Sequence, residues 1–186
     1  MSNLKVMDLI VDAYSIVFFQ MSLNSIKADS NGYSYSEPYE EEGLWVLKDQ
    51  VKFYDQKFDQ YTSINFVANE ENISGEVEII LPLNLSKAHE FDILKVINRM
   101  NRSAGPFSTS YNNKTDRVEI NSYLSYVGSP AIFGKESGVS YEYEVQVFAN
   151  ILAGALGQAS YWIDKLAILE DPNNSALDVF RLIKQN

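Results

Sequence analysis

Thr62-Ser-Ile-Asn-Phe-Val-Ala68, Asn69-Glu-Glu-Asn-Ile-Ser-Gly75 and Glu76-Val-Glu-Ile-Ile-Leu-Pro-Leu83 follow one another without a break. The first segment alternates around Ile64 and Phe66, and the third around Val77, Ile79 and Leu81. A period of two places each apolar set on one face of an extended chain. The polar segment between them, ending in Gly75, reads as a turn, so the stretch predicts a β-hairpin. Pro82 falls at the end of the second strand, where a missing N–H is tolerated.

The period then changes. Phe91, Leu94, Ile97 and Met100 recur at helical spacing, with Ile93 and Val96 widening the face. A helix over 87–102 follows, with Ser86 as its expected N-cap and Arg102 at the negative end of its dipole. Ser103-Ala-Gly-Pro106 stops it. A second hairpin is expected from Phe107 to Val127, with Asn112-Asn-Lys-Thr115 as its turn. Val118, Ile120 and the run Tyr123–Val127 do not keep one strict phase, which predicts a bulge near Asn121 or Ser122. Gly128–Gly138 reads as a loop. Phe148, Ile151, Leu152, Ala155, Ala159, Trp162, Ile163 and Leu166 then form a wide apolar face, predicting one long helix over 141–169. Asp171-Pro172-Asn-Asn ends it, and Ala176, Leu177, Phe180 and Ile183 predict a short amphipathic helix after it.

Before the first hairpin, Leu4, Met7, Ile10, Val11 and Tyr14 have helical spacing, with Asp8 and Asp12 on the opposite face. Ile16–Met21 could extend that helix or begin a buried strand. Asp29-Ser-Asn-Gly32 is a turn signal, and the polar, aromatic and acidic stretch that follows, through Glu40-Glu-Glu-Gly43, reads as an exposed loop. Residues 44–58 read as strand-rich, although the spacing over 51–58 also tolerates a helix. The expected fold class is α+β: an antiparallel β-sheet with packed helices. Residues 1–169 are expected to form a single domain, with 170–186 as a short C-terminal helical tail.

Composition narrows the chemistry. The 186 residues include no cysteine and one histidine, His89, which removes most nucleophilic, redox and transition-metal schemes. A formal charge of −10 repels phosphate backbones and anionic lipid, so neither nucleic acid nor membrane is an expected partner. Absent cysteines fit a reducing compartment. Asp8 and Asp12 interrupt any signal-like apolar run, so a cytoplasmic protein is expected. No phosphate-loop, dinucleotide, nucleophile-elbow or zinc-helix motif occurs. The Glu37 and Glu40–Glu42 cluster fails the calcium-loop register, because Asp29-Ser-Asn-Gly32 puts Gly at the fourth position. Glu76 with Glu78, and Glu142 with Glu144 if extended, are carboxylate pairs that outward-facing strand charges explain. No catalytic residue, metal ligand or cofactor is assigned.

One small-residue face stands out. Ala149, Ala153 and Gly157 lie four apart, beside Gly154 and Ala155. They make a candidate interface between two subunits, or a tight contact of this helix on its own sheet.

The order hairpin, helix, hairpin, long helix resembles the YbjN family, whose fold is similar to type III secretion chaperones. The helix end Val96-Ile-Asn-Arg-Met-Asn101 leading into a hairpin carries the likeness, as does the closing helix around Phe148-Ala-Asn-Ile-Leu152 with Trp162 late in it. It covers roughly residues 60–169, while 16–58 is longer than the compact family pattern. The resemblance implies a non-enzymatic protein-binding or chaperone-like module, often a homodimer, and brings no catalytic residue. A second reading is a small acidic inhibitor or immunity-type protein that blocks a basic partner. A carboxylate-dependent enzyme is the third.

Overall fold

The computed structural model describes residues 6–25, 37–53, 60–71, 74–103, 107–125 and 141–185. The expected turn at 29–32 and the loop at 128–138 lie outside them. Among these residues four α-helices accompany seven strands: α1 Val6–Gln20, β1 Asn24–Ser25, β2 Tyr39–Glu41, β3 Leu44–Lys52, β4 Thr62–Asn69, β5 Ser74–Ile80, α2 Glu90–Ser103, β6 Phe107–Asn112, β7 Arg117–Ser125, α3 Tyr141–Leu166 and α4 Ala176–Gln185. The strands form one antiparallel sheet in the order β1-β3-β4-β5-β7-β6, with β2 also pairing β3. The fold class is therefore α+β, as the periodicities require.

The register explains which side of the sheet is covered. Leu47, Phe66, Val77 and Ser122 lie opposite one another in turn, as do Asp49, Ile64, Ile79 and Ile120. These side chains are buried, whereas Lys48, Gln50, Glu76 and Tyr123 of the other phase are exposed. Helices α1 and α3 pack together on the buried face. Pairing of β7 with both neighbours runs without interruption, so the expected bulge does not exist. Ser122 keeps the phase instead: it is a small polar residue that faces inward and is buried. Its polarity hides the alternation from a reading based on hydrophobicity.

Several expected boundaries move. The ambiguous 16–21 segment continues α1 to Gln20. The helix then closes with Leu23 N–H donating to Phe18 O, Ser22 N–H donating to Phe19 O, and Ser22 at φ 49°. The acidic stretch expected as loop is an edge hairpin. Tyr39–Glu41 pairs with Leu44–Val46 across a two-residue turn whose residues, Glu42 and Gly43, have φ of 53° and 79°. Positive φ at both positions matches the twist of the flanking strands. Residues 44–52 form a single strand. Helix α2 begins at Glu90, not after Ser86, which instead donates to the Asn84 side chain. Its buried side is Ile93, Val96, Ile97 and Met100, whereas Phe91 and Leu94 are exposed. Glu142 and Glu144 lie in α3, so they do not share a strand face. That helix ends at Leu166 and tightens into a 3₁₀ turn, Ala167–Glu170.

Long-range polar contacts fix the helices on the sheet. Glu70, in the β4–β5 turn, accepts from the N–H groups of Val6 (2.8 Å) and Met7 (3.1 Å), placing a carboxylate at the positive end of α1. The Tyr14 hydroxyl donates to Asp49 Oδ2 at 2.7 Å, and both residues are buried. Asp49 Oδ1 also accepts the Gln50 N–H at 2.7 Å. Tyr141 of α3 donates to Asp12 of α1, and burial followed by that bond holds its phenol well above the usual range. Thr62 is fully buried on the inward face of β4, and its Oγ1 has no hydrogen-bond partner among the described residues.

Two substitutions in this region should act in opposite directions. Tyr14→Phe leaves a buried carboxylate short of a donor and should cost about 1–3 kcal/mol in urea unfolding. Thr62→Val removes a buried hydroxyl without changing shape and should add about 1 kcal/mol. Equal midpoints for either variant and the wild type would contradict its assigned role.

Candidate functional site

The residues that build the site lie on α2 and α4. Lys95, Arg99 and Arg102 are spaced i, i+4, i+7, so they share one side of α2. The apolar row of α2, Ile93, Val96, Ile97 and Met100, turns the other way, into the core. That leaves a cationic ridge along the helix.

Helix α4 is set beside this ridge by its own N-terminus. Asp178 caps the start of α4 from inside its first turn: the Ser175 N–H and hydroxyl both donate to Asp178 Oδ2, at 2.9 and 2.8 Å. These two donors, with Arg181 beyond, hold Asp178 below the usual carboxylate range. Asp92 of α2 accepts the Ala176 N–H at 3.1 Å, tying the start of α4 to α2 directly. Ala176 and Val179 enter the core, and Phe180 and Ile183 pack partly against it. Leu177 is left 63% exposed.

Between the two helices runs a groove of about 550 Å³. Leu177, Phe180 and Ile183 give it an apolar floor; Lys95, Arg99, Arg102 and Lys184 give it four cations, with Asn98 between them and no carboxylate in its lining. The Lys95 ammonium lies 4.1 Å from the centre of the exposed Phe91 ring, which extends the apolar surface along α2. Four of the 15 basic residues therefore gather at one site on a chain of net charge −10. The i, i+4, i+7 cation spacing and the Ser-x-x-Asp cap were both visible in the sequence. What the sequence lacked was the placement of α4 against α2.

Another hollow among the described residues, of about 270 Å³, lies by Tyr61, Ser63, Pro82 and Arg117 and is mostly polar. The outer sheet face carries Glu76, Glu78 and Glu119; Asn65 donates to Glu78 at 2.7 Å and Asn112 to Glu119 at 3.2 Å. At the β6 edge, Asn101 makes two bonds to the backbone of Thr109, at 2.9 and 2.7 Å, closing that position to an added strand. Strand β3 is covered at both ends by β1 and β2.

Other residues singled out from the sequence are scattered. His89 is exposed before α2, with its carbonyl accepting from Asp92 and Ile93. Among the described residues no group of three His, Asp or Glu side chains could hold a metal ion, and no helix is long and apolar enough to cross a membrane. On α3, Ala149 is buried, Ala153 is half-buried against the core, and Gly157 faces open space. Gly154 is the position of close approach. A Cβ there would stand 2.9 Å from Cζ of Phe107, so the ring of β6 occupies that space.

No protein-family model matches the chain, and no curated protein matches it. A similar solved structure is described as "Crystal Structure of the ExsC-ExsE Complex". It is 12% identical, with a TM-score of 0.44, and the match covers 86% of this chain and 93% of that one. No residue role or partner transfers at that level.

His89→Ala, which removes an exposed side chain and leaves the backbone bonds in place, should change unfolding free energy by less than about 0.5 kcal/mol. A loss above about 1 kcal/mol in a denaturant melt would mean that the imidazole carries a contact of its own.

Proposed function

We propose that this chain is a non-enzymatic, cytoplasmic protein-binding module of chaperone-like type, and that it receives a segment of its partner in the α2–α4 groove. The observation that carries this is the groove itself. It joins an apolar floor to a cationic rim on an otherwise acidic molecule, while Asn101 blocks part of the free sheet edge. Amphipathic grooves between helices are one of the few recurring ways in which folded domains hold peptide segments.

The acidic-inhibitor reading has a surface of its own, the outer sheet face with Glu76, Glu78 and Glu119. The two surfaces can be told apart in one experiment. A photo-crosslinking residue at Leu177 should give a discrete protein adduct in the native host, and the same residue at Glu76 should give none. The reverse pattern would favour the inhibitor.

We extend the proposal to a homodimer formed through the accessible end of the α3 small-residue face, Ala153 and Gly157. Gly157→Glu places a charge where a side chain has room, so the fold should survive and a dimer should become a monomer by light scattering. A wild type that is monomeric at high concentration would refute the dimer. A mutant that stays dimeric would refute this interface.

A further inference from the structure

The geometry points to an acidic amphipathic α-helix as the occupant of the α2–α4 groove; this rests on the protein-binding reading above. Three observations lead there.

The first is charge. The groove lining has four cations and no carboxylate, within a protein whose sum is −10. Opposite potentials at the contact favour an anionic partner, whereas the surrounding acidity disfavours a long anionic polymer that would extend past the groove. A short acidic segment meets the cations without meeting the rest of the surface.

The second is the floor. Leu177, Phe180 and Ile183 recur every three residues along α4, so they present a continuous apolar strip. A soluble protein gains by covering such a strip, and a free inorganic anion would leave it bare. The ligand must therefore carry an apolar face as well as acidic groups.

The third is the backbone. Both walls are α-helices, whose interior N–H and C=O groups bond within their own helix. An extended peptide would find no ladder of partners there, unlike one added to a sheet edge. A helix satisfies its own backbone and presents only side chains. The cations at 95, 99 and 102 span about 10 Å along α2, roughly two helical turns. Glu or Asp at i, i+4 and i+7 of a bound helix matches that spacing.

The test uses the full chain and a fluorescein-labelled synthetic peptide of about 16 residues, long enough for four turns. It carries Leu at i, i+3, i+4 and i+7 and Glu elsewhere; a control replaces every Glu with Gln, which removes the charge and keeps the apolar face. Fluorescence anisotropy should show saturable binding of the Glu peptide, weakening as salt rises, and at least tenfold weaker binding of the Gln control. The double variant Lys95→Glu/Arg102→Glu should weaken binding at least tenfold while still folding cooperatively, its melt lowered only by the lost dipole and ring contacts of the two cations. Leu177→Ser should weaken it separately, without altering the salt dependence. Equal binding of both peptides, or no effect of the double variant, would overturn the inference. So would tighter binding of a labelled single-stranded oligonucleotide at the same site, or self-association that Leu177→Ser abolishes. If the Glu peptide fails but crosslinking at Leu177 still captures a partner, the helical acidic occupant is wrong and the protein-binding reading stands. If both fail, both fall.

Discussion

A carboxylate held inside the sheet sets the position of the first helix. Asp49 lies in an inward row with Ile64, Ile79 and Ile120, where an ionised group without donors would be severely destabilising. The Tyr14 hydroxyl meets it at 2.7 Å from α1. Around that bond the Tyr14 ring packs on Phe66 at 4.9 Å and on the edge of Phe18 at 6.0 Å. A directional bond enclosed by aromatic contacts fixes both the rotation of α1 and its height above the strands. Glu70 fixes its start. Helix α3 then packs beside α1, with Tyr141 reaching Asp12 across the pair.

Four of the 25 acidic residues bind the backbone of other elements or cap helices. Glu70 caps α1, Asp92 and Asp178 serve the start of α4, and Glu170 accepts the Asn84 N–H at 2.7 Å. In each case a carboxylate takes a backbone N–H, which is a stronger bond than one between neutral groups. Several of these pairs join residues far apart in the chain, so they tie elements together as well as ending them. The Asp92 bond matters most for the site. It brings α4 against α2, and the groove exists only because those two helices lie side by side.

The cationic groove and the acidic whole are complementary features. A net charge of −10 repels polyanions. In the proposed mode of binding, a local cluster of cations singles out a short anionic segment from the long ones. The apolar floor adds burial, which charge alone does not supply.

The sequence by itself determined most of the elements. Alternation marked the β4–β5 hairpin, a turn between two β-rich runs marked β6–β7, and helical spacing marked α1, α2, α3 and α4, because backbone period and apolar period must agree for a face to be buried, whereas the acidic β2–β3 hairpin carried no such period. It also placed Trp162 and its neighbours on the buried side of α3. Tertiary structure decided the rest. Ser122 and Asp49 face inward although they are polar, since register against the neighbouring strands outweighs side-chain type. Phe91 and Leu94 face outward although they are apolar, because α2 rests on one side only and Ile93 with Val96 fill it. The groove was hidden for a related reason. Three of its four cations lie on α2, while Lys184 and the apolar floor lie on α4, about eighty residues further on, and only three-dimensional packing brings such distant side chains to one surface.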